Sequence, residues 1–201
     1  MIKLPSGVDL ENLINDLRIL SWEASETLLY YAQILKDSNN RNDILRNDNI
    51  NDPVTLADLK VNEIIIKKIK KKYCDVDWGI LSEENAKSEN YNFDSNRDWI
   101  WVLDPLDGTK DFIQATGNYA MHLALNHKNT PYLGVVLIPE KGELWFAYED
   151  KIWVENKEGS KFKVNLNKNK SLQEMTLVTS KNHRNETLKN LIQKINFKEV
   201  I

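Results

Sequence analysis

Two carboxylates, a glycine and a hydroxyl lie close together in residues 103–112. The residues just before them, 99–103, are continuously apolar and rich in aromatic and β-branched side chains, which predicts a strand buried on both faces. We expect Pro105 to end this strand and a tight turn to bring Asp104 and Asp107 to one side. Two such charges repel each other unless a cation lies between them. Oxygen ligands of this kind suit Mg²⁺, which takes one or two carboxylates and keeps waters or a substrate phosphate as its other ligands.

The same run continues with two residues suited to bind a ligand. Gly108 lets the backbone approach a bound group closely, and Thr109 adds a hydroxyl beside it. A structural alternative stays open for the acids, because aspartate and glycine are also common in turns that carry no function.

Acidic residues elsewhere in the chain could join this site. Glu83 follows a second apolar strand, predicted at 77–81, and the ends of neighbouring parallel or antiparallel strands can converge on one ion. With Asp104 and Asp107 it outlines a carboxylate metal site. We expect Glu84 to face solvent or to orient the site from behind its ligands.

Asp58 has two competing interpretations. It lies three residues after Thr55, the predicted N-cap of a helix over residues 59–73, so it can be a capping acid in the first helical turn. The helix dipole favours such an acid by about 0.3–1 kcal/mol. A catalytic role is the alternative, and the residues alone leave both open.

The elements that must position these residues predict an α+β fold. Apolar spacings of three and four predict an amphipathic helix over 8–35, and residues 36–52 are typical of a mobile surface loop. Short β-like runs separated by turns predict an antiparallel meander: 119–125, 132–138, 144–148 and 152–154. A polar stretch, 157–172, is expected to be a linker or an exposed edge, followed by a strand at 176–179 and a helix at 185–195.

Composition excludes several classes of function. The chain has 201 residues and a formal net charge of -3, so no global basic field indicates binding to a nucleic acid polymer. No stretch approaches the ~20 apolar residues that cross a bilayer, and no secretion signal is recognisable, so we expect no membrane insertion and a cytoplasmic location. The single Cys74 is expected to be a buried structural thiol.

Basic residues and histidines give weaker signals. The lysine-rich run 67–72 is more typical of a solvated helix face than of a polyanion site. Residues 180–184 combine Ser180, His183 and two cations between a strand and a helix, where they could hold phosphate or merely cap the helix. His122 and His127 are expected to be structural.

In this combination and order, the motifs resemble the inositol monophosphatase family of Mg²⁺-dependent, lithium-sensitive phosphatases. The matching segments are Asp52 to Asp58, Leu81 to Glu84, Asp104 to Phe112 and Ser180 to His183. Within that family the Lys110-Asp111-Phe112 continuation and the Ser-Lys-Asn-His turn look like the CysQ-type 3'(2'),5'-bisphosphate nucleotidases. The resemblance implies a layered α/β sandwich of the sugar-phosphatase type, with a mainly antiparallel sheet packed on two long helices.

The resemblance also implies a role for each site residue. Glu83, Asp104 and the Leu106 carbonyl would hold one Mg²⁺, and Asp104 with Asp107 would contribute to a second. The implied catalytic residues are Asp58 and Thr109, which orient and deprotonate the attacking water, and Glu83. The implied substrate contacts are the backbone amides of Gly108 and Thr109 with the scissile phosphate, and Ser180 and His183 with the nucleotide.

By this resemblance, the expected reaction is hydrolysis of the 3'-phosphate of adenosine 3',5'-bisphosphate to AMP and phosphate by metal-activated water. Sulfur assimilation as its setting is implied by the family alone. An inositol or sugar-phosphate monophosphatase is the alternative in the same class. Two or three Mg²⁺ ions are expected in the family, and the partner is a small phosphorylated substrate.

The family pattern continues beyond Ile201 with a Trp-Asp turn that completes the second metal site. We therefore expect an amino-terminal domain over 1–165 and an incomplete second domain over 166–201. A truncated product or half of a split enzyme, with a complementing chain or a homodimer as partner, is expected on this basis. A catalytically silent fragment that binds metal or nucleotide is the alternative of a different class.

Overall fold

A computed structural model describes residues 2–36, 55–87, 93, 96–166, 171–179 and 185–201 of the chain. These residues form two compact units, Met1–Val164 and Asn165–Ile201. The predicted loop over 36–52 lies outside the described residues beyond Lys36. The predicted assignment of 1–165 and 166–201 to two domains, one of them incomplete, stays a prediction.

Two long helices, two short helices and a seven-stranded sheet form the first unit. The helices are α1 (Leu10–Lys36) and α2 (Leu56–Lys72), followed later by the short α3 (Glu83–Ala86) and α4 (Thr109–Ile113). The strands are β1 (Gly79–Ser82), β2 (Trp99–Asp107), β3 (Ala120–His127), β4 (Thr130–Ile138), β5 (Glu143–Tyr148), β6 (Lys151–Glu155) and β7 (Lys161–Lys163). A 3-10 turn, Pro139–Lys141, joins β4 to β5.

The strands follow one another in the sheet in chain order, from β1 to β7. The β1–β2 pair is parallel and every other neighbouring pair is antiparallel. The predicted antiparallel meander and the predicted α+β class are therefore confirmed. The parallel pair is decisive for the site, because it brings the carboxyl ends of β1 and β2 to the same edge of the sheet.

The core lies between the two long helices and one face of the sheet. Helix α1 buries an apolar stripe at spacings of three and four, from Leu13 to Leu35, as its periodicity predicts. Helix α2 contributes Ile65, and the sheet contributes fully buried side chains such as Trp101 and Leu125. Burying one such large side chain stabilises the fold by about 1.5–3 kcal/mol, so the packed helices hold the sheet in a fixed position beneath the site.

The smaller unit is short. It contains a 3-10 turn (Leu172–Glu174), strand β8 (Thr176–Leu177), helix α5 (Glu186–Ile195) and strand β9 (Glu199–Val200). Strands β8 and β9 pair in parallel. The helix predicted at 185–195 is confirmed, with Asn185 as its N-cap accepting a hydrogen bond from the Leu188 amide.

One core prediction is wrong. Cys74 is exposed, not buried. It lies in the turn that follows the last residue of α2, where the chain leaves the helix packed on the core and turns back toward β1. None of the helices in the described part of the chain is long and apolar enough to cross a membrane.

Candidate metal centre and active site

The acidic residues of the site meet because β1 and β2 run in parallel. Ser82, the last residue of β1, pairs with Leu103 of β2. An acid follows each of these residues, Glu83 as the first residue of α3 and Asp104 within β2, so both lie side by side at the same edge of the sheet. The structure thus brings together two residues that are 21 positions apart in the sequence.

Strand β2 does not end at Pro105, and that prediction is wrong. The strand continues to Asp107 through a bulge. Asp104 pairs with His122 and Asp107 pairs with Ala120, so the β2 side has one extra residue. Proline has no N–H for the ladder, and a bulge is one of the places where a strand tolerates it. The bulge keeps both aspartates at the end of the strand, on either side of Leu106.

The three carboxylates interact electrostatically. Burial, together with the neighbouring charges of Glu83 and then Asp107, raises the pKa of Asp104 to about 7, although a hydrogen bond from the Leu106 amide to Asp104 Oδ1 at 3.1 Å lowers it. Glu83 also forms an ion pair with Lys87 at 3.0 Å. Within the described ranges, no three acidic, histidine or cysteine side chains already form a closed metal-binding group. The carboxylates are thus neighbours whose mutual repulsion a cation would relieve.

Gly108 occupies a conformation and a space that suit only glycine. Its φ of +86° lies in the left-handed region, and a Cβ built there would lie 2.7 Å from the backbone oxygen of Asn118. The Gly108 carbonyl then accepts a hydrogen bond from the Phe112 amide at 2.9 Å. This turn places the next residue, Thr109, directly beside the bulge.

Thr109 connects the bulge to helix α2. Its hydroxyl lies 3.0 Å from the Leu106 carbonyl oxygen and 3.3 Å from Asp58 Oδ1. Both atoms are acceptors and the hydroxyl carries one proton, so it donates to one of them at a time. The Asp58–Thr109 pair is 51 positions apart in the chain and joins the two halves of the site.

Asp58 performs the capping role and also faces the site. One oxygen, Oδ2, accepts hydrogen bonds from the Thr55 amide at 2.8 Å and from the Thr55 hydroxyl, which completes a capping box. The other oxygen faces Thr109. Asp58 is only 2 % exposed, and burial raises its pKa to about 6 despite the Thr55 hydrogen bonds. A buried carboxyl with this pKa is suited to general acid–base chemistry.

A buried polar network that the sequence interpretation missed supports Glu83. The Ser82 hydroxyl donates to Asn62 Oδ1, and Asn62 Nδ2 donates to Asn85 Oδ1 at 2.9 Å. These bonds connect α2, the end of β1 and α3, which begins at Glu83. The available signal was Asn62 itself, a polar residue on the buried face of α2 one turn after Asp58.

Glu84 and His122 are two further residues close to the acids of the site. The side chain of Glu84 is only 5 % exposed, so the first of its two predicted positions, facing solvent, is wrong; the second, behind the ligands of the site, stays a prediction. Glu84 pairs with Lys87 and its charge contributes to the raised pKa of Asp58. His122 Nε2 lies 3.9 Å from Asp107 Oδ2.

The predicted substrate residues Ser180 and His183, and residues 52–54 of the family motif, lie outside the described residues.

The oxygen donors at this edge of the sheet are the carboxylates of Glu83, Asp104 and Asp107 and the carbonyl of Leu106. Hard oxygen donors of this kind are the type that Mg²⁺ takes. Burial is the main cause of the raised pKa of Asp104, and the charges of Glu83 and Asp107 add to the cost of ionising it. A divalent cation among them would remove that penalty.

Comparison with known proteins agrees with this geometry. The profile of the inositol monophosphatase family matches residues 9–199. The 3'(2'),5'-bisphosphate nucleotidase CysQ of Buchnera aphidicola is 39% identical over 147 residues, which are 72% of this chain and 52% of that protein. The CysQ protein of Escherichia coli K12 is 36% identical over 107 residues, which are 52% of this chain and 41% of that protein. The chain thus spans about half the length of the curated relatives it matches.

Solved structures share the fold. CysQ from Bacteroides thetaiotaomicron matches with a TM-score of 0.66 and 25% identity, over 93% of this chain and 70% of that one. Inositol monophosphatase II from Staphylococcus aureus MSSA476 matches with a TM-score of 0.67 and 19% identity, over 94% of this chain and 65% of that one.

Proposed function

This chain belongs to the inositol monophosphatase family, and we propose that it is a Mg²⁺-dependent phosphatase that takes the 3'-phosphate from adenosine 3',5'-bisphosphate. The products are AMP and inorganic phosphate. The proposal rests on one observation: Glu83, Asp104 and Asp107 lie together at one edge of the sheet, and the Asp58–Thr109 pair lies beside them. The names of the CysQ relatives support the choice of a bisphosphate nucleotide as substrate.

The proposed metal ligands are Glu83, Asp104, Asp107 and the Leu106 carbonyl. A Mg²⁺ ion held by these residues would supply a water of lowered pKa and positive charge to offset the charge of the transferring phosphoryl group. Phosphate monoester hydrolysis is accelerated by up to ~10²¹-fold in enzymes, about 28 kcal/mol at ~1.36 kcal/mol per tenfold. No single group lowers the activation free energy by that amount, so the metal ligands and the Asp58–Thr109 pair have to act together.

The proton-transfer part of the proposal rests on Asp58 and Thr109. With one oxygen held by Thr55, Asp58 presents the other to the Thr109 hydroxyl at 3.3 Å. Asp58 is ionised above a pH of about 6, so at neutral pH it can accept a proton passed through Thr109. The Gly108 turn would leave room for a phosphate oxygen near the Thr109 amide, and Ser180 and His183 would contact the nucleotide.

Phosphate release by the full chain tests the reaction. We expect release from adenosine 3',5'-bisphosphate with Mg²⁺, none with EDTA, and at least a 10²-fold loss in Asp58→Asn. Asp150→Asn, at an exposed position, serves as the matched control and should be unaffected. Equal or faster release from inositol monophosphate would overturn the nucleotide assignment. Binding of Mg²⁺ without release from either substrate would overturn the assignment as a phosphatase.

A further inference from the structure

A cavity lies in the first unit, away from the edge of the sheet that carries Glu83 and Asp104. It has a volume of about 710 Å³ and lies between the first turns of α1 and the strands β6 and β7. Strand β6 is four strands from β2 in the sheet, which corresponds to about 19 Å at ~4.8 Å per strand. A volume of this size is within the usual range for small-molecule sites, ~300–1,000 Å³.

The cavity is basic in a chain that is acidic as a whole. Four cationic side chains line it, Arg18, Lys151, Lys161 and Lys163, against the single acid Glu11. The whole chain has a formal net charge of -3. Within the described part of the chain, neither Lys151 nor Lys163 has a carboxylate at ion-pair distance. This concentration of positive charge favours an anionic ligand.

A buried carboxylate behind the cavity holds two of its lining residues, Arg18 and Trp153. Glu155, only 3 % exposed, accepts from Arg18 Nη2 at 3.0 Å and from the Trp153 indole N–H at 2.8 Å through Oε1, and its Oε2 accepts from Arg18 Nε. Burial raises the pKa of Glu155, but the bonds from Arg18 and Trp153 outweigh this and lower it overall. Arg18 therefore balances the charge of Glu155, and Glu11 offsets one of the three lysines, which leaves two surplus positive charges at the cavity.

Two aromatic residues, Tyr148 and Trp153, line the cavity, and the neighbours of Trp153 fix its ring. Trp153 stacks on Phe146 with ring centroids 5.1 Å apart, and the Lys161 ammonium lies 4.2 Å from the Trp153 ring centroid. Strand β7 places Lys163 opposite Trp153 in the register. Cross-strand partners project to the same face of a sheet, so the lysine, the indole and the apolar wall formed by Ile14 border one space.

From this arrangement we propose that the cavity between α1 and β6–β7 binds a small anion that carries a phosphate or sulfate group on an aromatic body. The lysines supply charge-assisted contacts to the anionic group, and the apolar wall of α1 covers the aromatic body. Lysines on an edge strand also discourage pairing with other chains. If they serve that purpose alone, no small anion binds here.

A titration of the ¹⁵N-labelled full chain without Mg²⁺ tests the proposal. The probe is naphthalene-2-sulfonate, which has the required shape and charge and is not a phosphate ester. The readout is the indole N–H resonance of Trp153, assigned with Trp153→Phe. We expect this resonance to shift with saturation, and 2-naphthol, which lacks the anionic group, to shift it at least tenfold less at equal concentration.

Charge-matched variants decide whether the cavity is responsible. Lys151→Gln with Lys163→Gln should weaken binding at least tenfold. Lys70→Gln with Lys71→Gln removes the same charge from the exposed end of α2 and should leave binding unchanged. No saturable shift of Trp153, an equal effect of the two double variants, or an equal response to 2-naphthol would each overturn the proposal.

Discussion

Replacing Asp58 with asparagine is expected to stabilise the metal-free protein at neutral pH while it removes phosphatase activity. Asp58 is 2 % exposed, and burial raises its pKa from the ordinary 3.8 to about 6. At ~1.36 kcal/mol per pH unit, this difference corresponds to about 3 kcal/mol. An asparagine is neutral at every pH and can still accept the Thr55 hydrogen bonds through its oxygen, so the helix cap survives the change.

The direction of this pH dependence depends on whether Asp58 binds its proton more tightly in the folded or in the unfolded chain. The folded chain holds a proton on Asp58 more strongly than the unfolded chain does, because its pKa is higher when folded. The stability that comes from this proton is fully present below about pH 3.8 and is lost as the pH rises through about 6. Relative to Asp58→Asn, the wild type should therefore lose about 3 kcal/mol between about pH 4 and 6.5 and change little above that.

Urea unfolding with EDTA, from pH 3.5 to 8, measures this difference. All six tryptophans lie in Met1–Val164, so their fluorescence reports the unit that contains Asp58. Asp150→Asn is the control for removing an exposed carboxylate, and it should show no such pH dependence. A free-energy difference between wild type and Asp58→Asn that stays constant with pH would refute the reasoning, since it would mean that the Thr55 hydrogen bonds fully offset the burial of the charge.

Three further changes probe the rest of the site. Gly108→Ala should destabilise the protein by at least ~1 kcal/mol more than Gly117→Ala in thermal unfolding, because both have positive φ but only the Cβ at 108 meets backbone, 2.7 Å from Asn118 O. A similar cost of both changes would contradict this. Asn62→Leu should cost about 1–3 kcal/mol in urea unfolding and weaken Mg²⁺ binding in calorimetry, because it leaves buried polar partners unsatisfied; unchanged Mg²⁺ affinity would show that the network does not position Glu83. Mg²⁺ binding at pH 7 should release about half a proton, because the pKa of Asp104 is about 7 in the metal-free chain. Calorimetry in buffers of different ionisation enthalpy measures this release, and Asp104→Asn should abolish it.

Much of the fold was predictable because its signals are local. The stripe of α1, the Thr55–Asp58 capping box and the alternating runs of β3–β6 are periodicities or spacings within a few residues. Pro105 shows where local reasoning fails. A proline ordinarily ends a strand, but pairing with β3 carries β2 through it as a bulge. That pairing joins residues that are far apart in the chain, and no residue within ten positions of Pro105 specifies it.

The acidic residues of the candidate site could be predicted from the sequence. The strand pairing and the hydrogen bonds that position them could not. Charged and glycine residues at strand ends are conspicuous, so Glu83 and Asp104 stand out in the sequence. The parallel pairing that makes them neighbours depends on the register of Ser82 with Leu103. The Ser82–Asn62–Asn85 network is harder to foresee, because a single asparagine on a helix gives no sign of which elements it will join.

The capping role of Asp58 does not exclude the proposed catalytic role, and Thr109 shows why. A carboxylate has two oxygens, and the capping box occupies one while the other remains for Thr109. The Thr109 hydroxyl in turn has one proton for two acceptors, Asp58 and the Leu106 carbonyl. Whatever engages that carbonyl makes it a poorer acceptor and shifts the proton toward Asp58. The geometry therefore couples the proposed metal ligand to the proposed base through one hydroxyl, which is a linkage that neither residue's local sequence could reveal.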